Sequence, residues 1–221
     1  MSGSTRTART LVEALRPRIA AGDVPMRDVF ALAKEHVDLD LGEIESLLEE
    51  SEELVRVAAV SVMDFQARRR STPEERRSGL YELYLRRHDR IDRWDMVDRA
   101  APSVVGDFLV DRPRDPLYDL ARHPGLYERR TAITATWAFL RRKQVDDTFA
   151  IAALLADDDR HFVQTAVGSW LRDAGKQDPD RLRRFLDEHA PVMSAIAVRF
   201  AVEKLEPEER KHYRDLRRGA D

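Results

Sequence analysis

A chain of 221 residues, 43% of them hydrophobic, is long enough to bury a real core and too apolar to be disordered. It contains no cysteine, which excludes disulfides, thiolate nucleophiles, iron–sulfur clusters and cysteine-ligated zinc. The 38 basic and 41 acidic side chains leave a formal net charge of only -3, yet 36% charged residues is well above the usual quarter and suits an elongated, helix-rich protein with much surface.

Residues 1–10 are polar and lack the apolar core of a signal peptide. The most apolar windows, Val57–Met63 and Phe149–Ala156, are too short to cross a bilayer. A soluble, cytoplasmic protein without membrane contact is expected. Glycine is scarce and β-branched runs are absent, which argues against sheet. Helical periodicity instead runs throughout, broken by short Pro, Gly or Asp clusters. It predicts helices over 8–21, 26–37, 41–50, 53–69, 73–87, 92–101 and 103–110, then 114–122, 126–142, 145–156, 160–175, 178–188, 191–204 and 206–217. Thr72-Pro73-Glu74-Glu75 reads as an N-cap, a first-position proline and acids in the first turn, and Asp178-Pro179 and Glu206-Pro207 repeat that logic. Short helices joined by tight turns point to an array of helical hairpins.

The tetrapeptides Arg56-Val57-Ala58-Ala59, Arg130-Thr131-Ala132-Ile133, Gln164-Thr165-Ala166-Val167 and Arg199-Phe200-Ala201-Val202 support an internal repeat. The last three recur at intervals of 34 and 35, and Asp98-Arg99-Ala100-Ala101 fills the longer gap before them, a period typical of helical solenoids. In that register Arg56, Asp98, Arg130, Gln164 and Arg199 form one polar row, and solenoids bind partners on such faces. Charge is also segregated: residues 35–53 hold nine acids and no Lys or Arg, 68–93 hold nine arginines against five acids, and 112–143 hold eight basic residues against three acids. Clustered arginine suits an anionic polymer, although a solvated surface accounts for it equally well.

No G-x-G-x-x-G, P-loop or G-x-S-x-G pattern occurs, and the six histidines show no metal-ligand spacing. The informative stretch is Arg90–Asp107. Trp94 and Asp98 are four apart and share a helix face. Pro102 disfavours helix at Ala101, which predicts that Asp98 sits in a last turn, where the helix dipole opposes a carboxylate. A core Trp beside an ion-paired Asp is the structural alternative.

R-I-D-R-W-D-M-V-D-x-x-A-P-x-x-V-G-D-F-L resembles the W-D-x-V-D signature of the AlkD-like DNA alkylation repair family. The resemblance continues through Leu126–Ile133, Ala166–Asp173 and Arg199–Lys204. It implies an all-α, HEAT-like helical-repeat solenoid (an α–α superhelix) with a concave DNA-binding face. It also implies excision of N3- and N7-alkylated purines from duplex DNA, without metal or cofactor. Asp98 matches the family's catalytic aspartate, Trp94 an aromatic packed on the DNA backbone at the lesion, Arg130 or else Arg129 a phosphate-binding arginine, and Arg172 a further DNA contact. Two departures stand out. The family's second lesion-flanking Trp falls at Ser169, while Trp170 lies about 100° further round the helix, turned well away from a stripe of Gln164, Gly168 and Arg172 that Ser169 flanks, and is expected in the core. The segment 1–24 reads as a shortened, divergent N-terminal cap.

The expectation is therefore a single solenoid domain over 1–221, a monomeric, monofunctional alkylpurine DNA glycosylase. Its basic segments should reach the concave face, with the acidic 35–53 kept away. The alternatives are a non-catalytic paralogue that binds damaged or branched DNA and a protein–protein scaffold.

Overall fold

The computed structural model describes residues 6–22 and 24–219. Among them every regular element is helical and no strand occurs, as the periodicity predicts. The chain forms two compact units, Met1–Phe108 and Leu109–Asp221. No helix among the described residues is long and apolar enough to cross a membrane.

The first unit comprises α1 (Ala8–Ala20), α2 (Met26–Glu35), α3 (Leu41–Glu49), α4 (Glu53–Arg68), α5 (Glu74–Arg86), a 3-10 turn (His88–Arg90), α6 (Trp94–Ala100) and a π turn (Ala101–Gly106). Its hub is α4, which is buried on nearly all sides and encloses Arg56, Ser61, Asp64 and Gln66 among its apolar residues. Helices α2, α3, α5, α6 and the π turn all pack on it. The segment read as a divergent cap, 1–24, contains a regular helix: α1 starts on a Thr7/Thr10 capping box and packs on α2, α3 and α4. Residues 1–5 and 23 of that segment lie outside the described residues.

One sequence expectation fails here. No break precedes Pro102: Ala101 stays helical (φ -55°, ψ -42°), and the Asp107 N–H bonds the Pro102 carbonyl five residues back at 2.9 Å. Proline lacks the N–H that a regular helix would direct at the Asp98 carbonyl, and its ring crowds that carbonyl. A wider i→i+5 turn tolerates both. Asp98 lies in the last turn of α6, as expected, but the helical run continues through the π turn, so that turn is not an open C-terminus and the dipole argument for Asp98 weakens.

The second unit comprises α7 (Asp115–Arg122), α8 (Leu126–Ala135), α9 (Trp137–Leu140), α10 (Asp146–Leu154), α11 (His161–Gly175), α12 (Pro179–His189), α13 (Ala195–Ala201) and α14 (Pro207–Arg218). Helix α7 packs on α8, and α11 is central, touching α8, α10, α12 and α13. The helix expected over 126–142 divides at Thr136, whose hydroxyl donates to the Ile133 carbonyl at 2.7 Å, a side-chain bond that competes with helix propagation. The one expected over 191–204 shortens to α13, where the Ser194 hydroxyl accepts the Ala197 N–H at 3.2 Å as an N-cap.

Candidate nucleic-acid interface

Helix α6 inserts Met96, Val97 and Ala100 into the core and packs on α4. That seating turns Trp94 and Asp98 outward together, one helical turn apart. Trp94 is 47% exposed, unusual for the largest apolar side chain, so the core-Trp alternative does not hold.

The neighbouring Arg99 turns inward. Its guanidinium lies 4.6 Å from the Phe30 ring centre and 4.7 Å from that of Phe65. It also approaches the Asp64 carboxylate at 3.1 Å. Asp64 is fully buried and additionally accepts the Ser103 hydroxyl at 2.6 Å and faces Arg68 Nε at 2.7 Å. Burial holds the Arg99 pKa below the usual guanidinium range despite Asp64. One buried carboxylate on α4 therefore grips both α6, beside Asp98, and the π turn that follows it. Sequence reasoning missed Asp64, Arg99 and Ser103. The available signal was a carboxylate directly after the most apolar window, which no buried charge occupies without partners.

In the second unit the arginines matched by the resemblance are all engaged. Arg130 is buried and donates to the Phe162 carbonyl. Arg129 meets Asp158 at 2.5 Å and the Pro124 carbonyl at 2.6 Å. Arg172 bonds Glu203 at 2.8 Å and Asp173 at 3.3 Å. Hydrogen bonds from Lys204 and Arg172 hold the Glu203 carboxyl down at about 2. Ser169 donates to the Thr165 carbonyl at 2.8 Å. Trp170 is half-buried, not in the core as expected. It stacks at 5.3 Å on Trp137, with Nε1 3.4 Å from the Thr134 hydroxyl.

The repeat row is not an exposed polar face. Arg56, Arg130 and Gln164 are buried and each bonds backbone carbonyls. Arg56 reaches Glu50 and Ser51 at 3.0 and 2.9 Å, and Gln164 reaches Leu155 at 2.7 Å. The physical reason is that helix ends leave carbonyls unsatisfied. A long polar side chain beside small residues can reach under the adjacent turn and satisfy them. Only Asp98 and Arg199 of the row face solvent.

The charge runs of the first unit are likewise turned on each other. Arg69 pairs with Asp38, Arg86 with Glu45, Arg87 with Glu45 and Glu49, and Arg93 with Glu53. Arg90 bonds the carbonyls of Leu48, Glu49 and Glu50. Four of the nine arginines in 68–93 thus pair with four of the nine acids in 35–53, so the two runs face each other within this unit.

With this geometry in hand, the family model described as "DNA alkylation repair enzyme" matches residues 20–205. The chain is also similar to a solved structure, a predicted DNA alkylation repair enzyme from Enterococcus faecalis. Identity there is 17% and the TM-score 0.63, over 92% of this chain and 99% of that one, a likeness of fold. No curated protein matches the chain.

Proposed function

This chain belongs to the DNA alkylation repair enzyme family, and we propose that it acts as a monofunctional glycosylase releasing N3- and N7-alkylated purines from duplex DNA. The observation that carries the reading is the outward-facing Trp94–Asp98 pair on one face of α6, on a helix anchored from below by buried Asp64. A solvent-facing aromatic beside a carboxylate on an anchored helix suits a ligand that is both flat and cationic.

Alkylation at N3 or N7 makes the purine a cation and a good leaving group. When its bond to C1′ breaks, the electron pair leaves with the base and the sugar becomes oxocarbenium-like. The Asp98 carboxylate stabilises that positive charge and orients the water that attacks C1′. Trp94 presents a π face to the same charge. Arg129, Arg130, Arg172 and Ser169 supply DNA contacts, and the arginines exchange their present carboxylate or carbonyl partners for phosphates.

One observation favours a second reading, a DNA binder that does not excise. Ser169 stands where the family resemblance places a second aromatic wall, and Trp170 is occupied with Trp137. The test is release of methylated purines from alkylated duplex DNA by the unaltered protein and by Asp98→Asn. We expect the variant to fold and bind DNA but to release base roughly a hundredfold more slowly, the scale of losing one preorganised electrostatic group. Excision at the parental rate by Asp98→Asn would show that Asp98 is structural. Binding without release by the unaltered protein would establish the second reading.

A further inference from the structure

The second unit contains a cavity of about 510 Å³ lined by Ala195, Val198 and Arg199 of α13 and by Arg214, Arg217 and Arg218 of α14. Four guanidinium groups surround one space, and the described lining residues include neither a carboxylate nor an aromatic ring. We propose that this cavity binds the phosphodiester backbone of DNA, as an anchoring site separate from Trp94 and Asp98. The inference rests on the DNA-repair reading and extends it to α14, which lies beyond the residues 20–205 that the family model matches.

The electrostatics favour an anion. Arg214, Arg217 and Arg218 are spaced i, i+3, i+4 and share one face of α14, which packs on α13. Arg199 and the α14 arginines lie near the C-terminal ends of their helices, and each helix end contributes about half a negative charge. Asp215 offsets Arg218 at 3.6 Å, but it also serves Lys211 at 2.6 Å. Four arginines thus line one space, two of them, Arg199 and Arg214, exposed to solvent.

The lining decides which anion. A guanidinium fork matches phosphate oxygens in pairs. A base or a free nucleotide needs a stacking platform, and this cavity supplies only the small apolar floor of Ala195 and Val198. Arg217 is fixed in place by its Nε bond to the Met193 carbonyl at 3.1 Å, while Arg199 and Arg214 are exposed. A linear backbone laid across the opening satisfies these groups, and a base inserted into it does not.

The test uses the full chain with the double variant Arg214→Gln/Arg218→Gln, sparing Arg217 because it also holds a backbone carbonyl. The control is Arg184→Gln, which removes an exposed charge from α12 outside the cavity. Binding to an unmodified duplex is followed as a function of salt, with thermal unfolding as the check on folding. We expect the slope of log K against log salt to fall by about two units in the double variant. It should hold in the control, and base release at saturating DNA should stay parental in both. An unchanged slope in the double variant, or equal losses in both variants, overturns the site while leaving the repair reading intact. Tight binding of adenosine monophosphate that the double variant abolishes, with the duplex slope unchanged, assigns the cavity to free nucleotides and overturns it as well. Failure of the unaltered protein to bind duplex at all overturns the repair reading and this inference together.

Discussion

Gly168 allows α11 and α13 to approach, and Gly168→Ala tests how close that approach is. A Cβ at residue 168 would lie 2.9 Å from both Ala197 Cα and Phe200 Cβ, and closer still to the Ala197 carbonyl oxygen. Two of those three neighbours are backbone atoms, which cannot rotate aside. To bring those two carbon atoms to ordinary contact at 3.4 Å, α13 must retreat by 0.5 Å, and further still to clear the carbonyl oxygen. A gap of that size forfeits a quarter or more of the dispersion energy along the interface, and overpacking of this kind costs about 1–3 kcal/mol even after local adjustment. Alanine's better helix propensity returns about 0.8–1 kcal/mol. Destabilisation of up to about 2 kcal/mol therefore remains. Gly42→Ala is the internal comparison: on α3 its Cβ would meet only the Asp40 carboxylate, at 3.5 Å, so propensity acts alone and stability rises by up to about 1 kcal/mol. Urea unfolding with an unchanged slope measures both. A Gly168→Ala protein stabilised as much as the Gly42→Ala protein would refute the close α11–α13 approach.

Asp64→Ala should destabilise the first unit by about 3–5 kcal/mol, because it strands Arg99 and Ser103 without their buried acceptor, and Asp64→Asn should lose less, as read from denaturant midpoints. Trp170→Ala should cost about 2–3 kcal/mol, below the value for a fully buried Trp, since its ring is only partly buried and rests on Trp137; a loss above 4 kcal/mol in thermal unfolding contradicts that placement. Burial, with Asp147 beside Tyr118 and Asp187 beside Tyr213, pushes both phenols up to about 12. Because the unfolded chain ionises near the usual value of about 10, the stability these tyrosines contribute is present below pH 10 and drains away as pH rises towards 12. An ultraviolet titration of tyrosinate should show this delayed ionisation, and its absence in the folded protein would rule it out.

The α-helical class, most helix positions and several caps were legible in the sequence because they depend on residues within one turn of each other. Asp178 accepts the Arg181 N–H at 3.0 Å and Glu206 forms a capping box with Glu209, as Asp-Pro and Glu-Pro predict. Thr72 is an exception: its hydroxyl turns back to the Gln66 carbonyl at 2.7 Å. The pairing of Trp94 with Asp98 on one face was also legible, being helix geometry and nothing more. Their exposure was not, since it depends on which side of α6 meets α4.

Tertiary structure decided where the charges go. A run of arginine in one dimension does not show its partners, and here helices about forty residues apart bring Glu45 to Arg86 and Glu53 to Arg93. The same holds for Arg56, Arg130 and Gln164, which the repeat pattern placed in one polar row and packing turned inward onto carbonyls. Conversely, Arg199 and the arginines of α14 enclose one cavity, although nothing in their local sequence separates them from the runs that pair with each other. A cation's partner depends on distances set by helix packing, and sequence periodicity specifies only the side of the helix from which the cation starts.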